Sequence, residues 1–213
     1  MQTARNNWKY WIPLAVAVVI VAVIAYFLLS RVSFGSKLPN EGPAPAFSMY
    51  DLEGNEVSLE NTAGKARLVY FYFAHCPDVC SPTNYMLYEV QEGLKKAGVF
   101  GDGALIMSIT FDPERDTTEH LLEYSASMQA DLEGWYFLRH DDVDMVREVS
   151  RQYGVEVIPS GEGDFIHANI YTLIDGNGNI RKTYSPNVPL LFSPETRDDF
   201  IAEIIEDMVS LAK

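Results

Sequence analysis

Leu68-Val69-Tyr70-Phe71-Tyr72-Phe73 runs directly into Ala74-His75-Cys76-Pro77-Asp78-Val79-Cys80. The first six residues are an unbroken β-prone apolar run, which suits a central strand buried on both faces. Past Cys80 the period changes. Leu87, Val90, Leu94 and Ala97 recur at spacings of three and four, as on a helix with one apolar face. A buried strand handing over to a helix belongs to an α/β architecture. The only two cysteines of the chain lie in that hand-over.

Working outward, residues 47–52 and 56–59 flank Glu53-Gly54-Asn55 and read as a hairpin. Downstream, residues 104–110 form a second apolar strand, 117–127 a helix and 135–138 a short strand. Val143, Val146 and Val149 mark a further helix ending near Gly154. Ile158-Pro159-Ser160-Gly161-Glu162-Gly163-Asp164 reads as a loop. Residues 169–174 and 180–184 are strands joined by Asp175-Gly176-Asn177-Gly178-Asn179, a strong hairpin signal. A helix from about Pro194 closes the chain, with Phe200, Ile201, Ile204, Ile205, Met208 and Leu211 as its apolar stripe. The order predicts an α/β sandwich around a mixed sheet.

The 213 residues carry a formal charge of −14. All four charges before Leu38 are basic (Arg5, Lys9, Arg31, Lys37), so the remainder is more acidic than the whole. Phosphate repels such a body, which argues against nucleic acid as a partner. Residues 12–29 contain no charge, and as a helix they would span roughly 27 Å, close to a bilayer's hydrocarbon thickness. Trp8, Tyr10 and Trp11 stand at one end, Tyr26 and Phe27 near the other, as aromatics do at membrane interfaces. The run exceeds a typical signal-peptide core and no clear A-x-A site follows it. The expectation is one uncleaved transmembrane helix at 12–29, a short cytoplasmic segment 1–11, a linker 30–45 and a globular domain 46–213. Flanking charges do not set the orientation. The cysteine chemistry favours the extracytoplasmic side of a bacterial cytoplasmic membrane.

Cys80 should fall near a helix N-terminus, where the dipole and free N–H groups favour thiolate over thiol. Two cysteines four residues apart can close a disulfide or bind a soft metal; C-x-x-x-C is one residue longer than the redox C-x-x-C motif. Thiolates select Cu(I), and neutral imidazole suits copper in either oxidation state. His167, after the glycine-rich loop, is the natural third ligand. A plain structural disulfide and zinc are the rival readings; structural zinc wants four ligands and three obvious ones exist. His75 is expected to point away from the site, and His120 and His140 to be solvated.

Three ordered motifs carry a resemblance. Cys76-Pro77-Asp78-Val79-Cys80 resembles the copper motif of the Sco (SenC) family of cytochrome c oxidase assembly proteins. Ser108-Ile109-Thr110-Phe111-Asp112-Pro113-Glu114-Arg115-Asp116-Thr117 is similar to its second signature. Asp164-Phe165-Ile166-His167, followed by Tyr171-Thr172-Leu173-Ile174-Asp175, is similar to its histidine block. The resemblance runs from about Pro43 to the last helix. It implies a thioredoxin-like fold and one copper per chain, Cu(I) or Cu(II), held by Cys76, Cys80 and His167. It also implies a role in building the dinuclear copper centre of the oxidase. The partners implied are the copper-centre subunit, and another copper chaperone or a thiol reductant. Asp78 and Asp112 become supporting or docking residues; Asp116 is expected to cap the helix that follows it. Ser81 and Ala168 depart from the family pattern, and neither removes a ligand. The competing functions are a thiol–disulfide oxidoreductase, keeping the cysteines of that centre or of another exported protein reduced, and a redox or copper sensor.

Overall fold

The computed structural model describes residues 13, 16–17, 19–20, 38–75, 80–161, 163–186 and 193–212, without the side chains of 80–82 and 84. In chain order the elements are β1 (Gly42–Pro43), β2 (Ser48–Tyr50), β3 (Glu56–Ser58), β4 (Ala66–Tyr72), α1 (Cys80–Lys96), β5 (Ala104–Thr110) and α2 (Thr118–Ser127). They continue as β6 (Trp135–Leu138), α3 (Val143–Gln152), β7 (Val157–Gly161), β8 (Asp164–His167), β9 (Tyr171–Ile174), β10 (Asn179–Tyr184) and α4 (Pro194–Leu211). Residues 36–213 form one unit, separate from 1–35. The segment expected as a membrane anchor lies mostly outside the described residues. Pro13, Val16, Ala17, Val19 and Ile20 within it are helical. No helix among the described residues is long and apolar enough to cross a membrane.

Every residue of β4 and β5 is buried, which is why both strands are largely apolar, with Arg67, Ser108 and Thr110 the polar exceptions. They pair in parallel, Leu68 opposite Ile106 and Tyr72 opposite Thr110, with α1 as the crossover. The six-stranded sheet runs β1-β10-β9-β4-β5-β6. β6 is parallel to β5, and β9 is antiparallel to β4. Side chains alternate across it with a period of two. Leu68, Tyr70 and Tyr72 pack with Leu87, Val90 and Leu94 of α1 and Ile201, Ile204 and Met208 of α4. Val69, Phe71 and Phe73 face the other way, onto Phe47, Met49, Val146 and Val149. Gly93 lets α4 close on α1, because a Cβ there would overlap Ile205.

Three expectations change. The stretch read as a loop at 158–164 is part of a hairpin, β7 with β8, in which Val157 pairs with His167. Its register shifts between Pro159 and Gly161. A two-stranded ribbon is all edge and tolerates that proline, so local sequence conceals the pairing. His167 therefore ends a strand. Next, the end of the expected linker is fastened to the sheet. Gly42 pairs with Ile180, and the Arg181 guanidinium binds the carbonyls of Pro39, at 2.8 Å, and Leu38.

The third change concerns α2. Its cap is Thr117, whose hydroxyl accepts the His120 N–H at 3.2 Å. Asp116 is committed elsewhere. Thr117→Ala should cost about 1 kcal/mol by loss of the cap, read as a lower midpoint in urea unfolding of the full chain. An unchanged midpoint would remove Thr117 from that role.

Candidate metal centre

The parallel pairing of β4 and β5 brings their C-terminal ends together, and the chain segments leaving them emerge side by side. The Phe111 N–H donates to the Tyr72 carbonyl at 3.0 Å and carries the ladder one step further. From β4 the chain passes through Phe73, Ala74 and His75 to the cysteine motif. Cys76 and Asp78 lie outside the described residues, and Cys80 is the first residue of the 17-residue α1. That helix has no acidic residue in its first turn and has Lys95 and Lys96 in its last, so its own charges do not oppose a thiolate at its start.

His167 comes to this place from the β7–β8 hairpin. Alternation along β8 turns Phe165 and His167 inward and leaves Ile166 outward, 63% exposed. The His167 ring stands edge-to-face against Phe111, with centroids 5.0 Å apart, and against Phe73, at 5.9 Å. Phe73 is three residues before Cys76, and three residues reach at most about 11 Å. Burial holds the His167 pKa below the ordinary histidine value, against the opposing pull of the Ala168 carbonyl and Asp164. Burial thus favours the neutral ring. Nδ1 lies 3.2 Å from the Ala168 carbonyl oxygen. A carbonyl only accepts, so that contact places the proton on Nδ1 and the lone pair on Nε2.

An aromatic wall backs the imidazole. Phe165 packs on Phe73 and Phe111, with centroids 5.3 and 5.4 Å away. The Arg115 guanidinium lies over both Phe73 and Phe165, at 5.9 and 5.6 Å. Asp112 is buried and holds Arg115 through Nε at 2.5 Å. Burial raises the Asp112 pKa more than Arg115 lowers it. Asp112 is therefore linked to the aromatic wall through Arg115. Gly163 takes φ +81°, a left-handed conformation that favours glycine, beside the Arg115 guanidinium.

The histidines expected in solvent are engaged. His140 stacks on Tyr50 at 5.7 Å, and its Nδ1 accepts the Asp142 N–H. His75 Nδ1 lies 2.9 Å from Asp116 Oδ1, and His120 stacks on His75 with centroids 4.1 Å apart. Asp116 is fully buried. Its Oδ2 accepts the Ala74 N–H at 2.9 Å and the Thr110 hydroxyl. Asp116 precedes the extended Thr117 cap and lies outside α2, so no helical spacing in the sequence pairs it with His120.

The SCO1/SenC family model matches residues 37–206. The chain belongs to the SCO1/SenC family. It is 26% identical over 162 residues to the SCO1 protein homolog of Bacillus subtilis, covering 74% of this chain and 79% of that one. Some relatives are much longer; the chain spans 42% of a mitochondrial SCO1 homolog from Arabidopsis thaliana. A SCO1/SenC family lipoprotein from Bacillus anthracis superposes with a TM-score of 0.69 at 24% identity, over 82% of this chain and 97% of that one. Yeast Sco1 with copper bound gives 0.61 at 25%, over 79% and 88%. These likenesses identify the fold as thioredoxin-like α/β with a mixed sheet. The donor set implied by the resemblance is two thiols and one imidazole. The described part of this SCO1/SenC chain fits it, with a neutral ring whose Nε2 is available and a thiol position heading a helix.

Proposed function

We propose that this chain binds copper through Cys76, Cys80 and His167 and serves assembly of the dinuclear copper centre of cytochrome c oxidase. One observation carries the reading. A neutral imidazole, proton on Nδ1 and lone pair on Nε2, stands against Phe73, three residues from Cys76. Yeast Sco1 has been solved with copper bound, which supports copper as the cargo. Copper would be taken as Cu(I) by the two thiolates, and imidazole tolerates Cu(II) as well. The protein's own part is to keep His167 neutral, to shield it with Phe73, Phe111 and Phe165, and to start α1 at Cys80. The β7–β8 hairpin is a two-stranded ribbon outside the main sheet, so His167 can be drawn back when cargo leaves.

Residues 12–29 then tether the domain as a single membrane span, with 46–213 on the extracytoplasmic side of a bacterial membrane and 30–45 between. The copper-centre subunit of the oxidase is the recipient, and Asp78 belongs to the surface that meets it. A cysteine at the head of a helix whose first turn has no acidic residue also favours thiol–disulfide exchange, so reduction of the recipient's cysteines is the second reading.

The test is anaerobic Cu(I) titration of the reduced full chain, followed by mixing with an apo copper-centre domain. The expected result is one tightly held Cu(I) per chain, two sulfurs and one nitrogen around it by X-ray absorption, and movement of copper to the recipient. Recovery of recipient thiols without copper movement would establish the reductant instead. A chain that retains no Cu(I) would end the copper reading.

A further inference from the structure

Beside the cysteine motif lies a second set of donors. One ring nitrogen from each of His75 and His120 and a carboxylate oxygen of Asp116 all lie within 4.8 Å of one another. Each comes from a different segment end: His75 from the chain leaving β4, Asp116 from the chain leaving β5, His120 from the first turn of α2. Thr110 and the Ala74 N–H hold Oδ2 of Asp116, which fixes the carboxylate and aims Oδ1 at the histidines. The two rings stack with planes 28° apart, so their edges run side by side. His120 Nε2 is buried and has no hydrogen-bond partner. A buried ring nitrogen left unpaired costs free energy, and native structures rarely leave one without a reason.

We infer that His75, Asp116 and His120 form a second metal site, which takes a divalent cation of the Cu2+/Zn2+ class. The donors decide the class. Two imidazoles and a carboxylate, without sulfur, suit borderline divalent ions and not Cu(I). Metal–donor bonds of about 2.0–2.2 Å require donors roughly 3–3.5 Å apart. Rotation of the two histidine side chains closes that gap while Asp116 stays fixed. Three protein donors leave a fourth position for water. The His75 side chain is 36% exposed and gives the ion its way in, while Asp116 is closed off from solvent. The site needs no sulfur, so it is independent of whether the cysteines hold copper.

The experiment uses the full chain carrying Cys76→Ser and Cys80→Ser, titrated with Cu2+ in excess Mg2+ to saturate exposed carboxylates. One Cu2+ per chain should bind, with an electron paramagnetic resonance spectrum showing coupling to two imidazole nitrogens. Zn2+ should compete it away. His120→Gln and, separately, His75→Gln should each weaken binding about tenfold or more, and His167→Ala should change nothing. His75 is partly exposed, so its variant keeps the test sound if His120→Gln unfolds. Absence of Cu2+ binding overturns the site, as does a signal that survives both glutamine variants or that disappears with His167→Ala.

Discussion

His167→Ala in the full chain should lower Cu(I) retention about a hundredfold or more, since loss of a supporting partner alone costs 10–100-fold. The measurement is anaerobic competition against a Cu(I) chelator. Two features make the effect large. The ring is the only imidazole packed on the aromatic wall of Phe73 and Phe111 among the described residues. Burial lowers its pKa below the ordinary histidine value, which favours the neutral ring that a metal requires. The cost to the fold should be small, because the change removes edge-to-face contacts worth about 1 kcal/mol from a two-stranded ribbon. The same variant separates the two readings of the cysteines. Copper transfer should fall with copper affinity. Thiol–disulfide exchange, which needs only the sulfurs, should survive. Equal retention by variant and parent would strike His167 from the donor set. Loss of exchange together with copper would show that the ring also orders the cysteine motif.

What sequence alone reveals of this molecule follows from where the deciding interactions lie. β5 and β6 are legible to the residue because burial leaves mostly apolar, β-prone side chains to read. The cysteine motif is legible because its chemistry is local: two soft donors four residues apart where a strand becomes a helix. β1 and the β7–β8 hairpin are not: Gly42-Pro43 is paired by the distant β10, and Pro159 and Gly161 are turn residues that conceal the local pairing of β7 with β8. Asp116 shows the limit most clearly. An acidic residue ahead of a helix has a sufficient local explanation as a cap, yet Thr117 takes that role and Asp116 turns inward to Ala74, Thr110 and His75. That outcome depends on the parallel register of β4 on β5, which aligns residues about forty positions apart. The same register sets Phe111 beside Phe73 and so builds the wall behind His167.

Arg67→Met should destabilise the domain by about 2–6 kcal/mol. Arg67 lies in the central strand and is fully buried. Its Nη1 donates to the Thr62 carbonyl at 2.7 Å, and its Nη2 to the Asp175 carbonyl. Those carbonyls belong to the segment entering β4 and to the β9–β10 turn, so one guanidinium ties two connections to the strand between them. Burial lowers its pKa, while Asp175 and Tyr153 favour the charged form. Asp175 is itself held by Arg181 at 2.9 Å and by the N–H groups of Asn177 and Asn179. Methionine fills much of the volume but donates nothing, and each buried carbonyl left without a donor costs about 1–3 kcal/mol. Arg67→Lys should recover only part of the loss, because a single ammonium cannot span two carbonyls as a planar fork does. Urea unfolding of the full chain, followed by tryptophan emission from buried Trp135, reads the change as a fall in midpoint. A domain stabilised by about 5–15 kcal/mol would be left near the edge of folding at 37 °C. A midpoint shift worth under about 1 kcal/mol, a typical net value for one hydrogen bond, would mean that water or a neighbouring donor replaces the guanidinium. The two connections would then be held by the sheet alone.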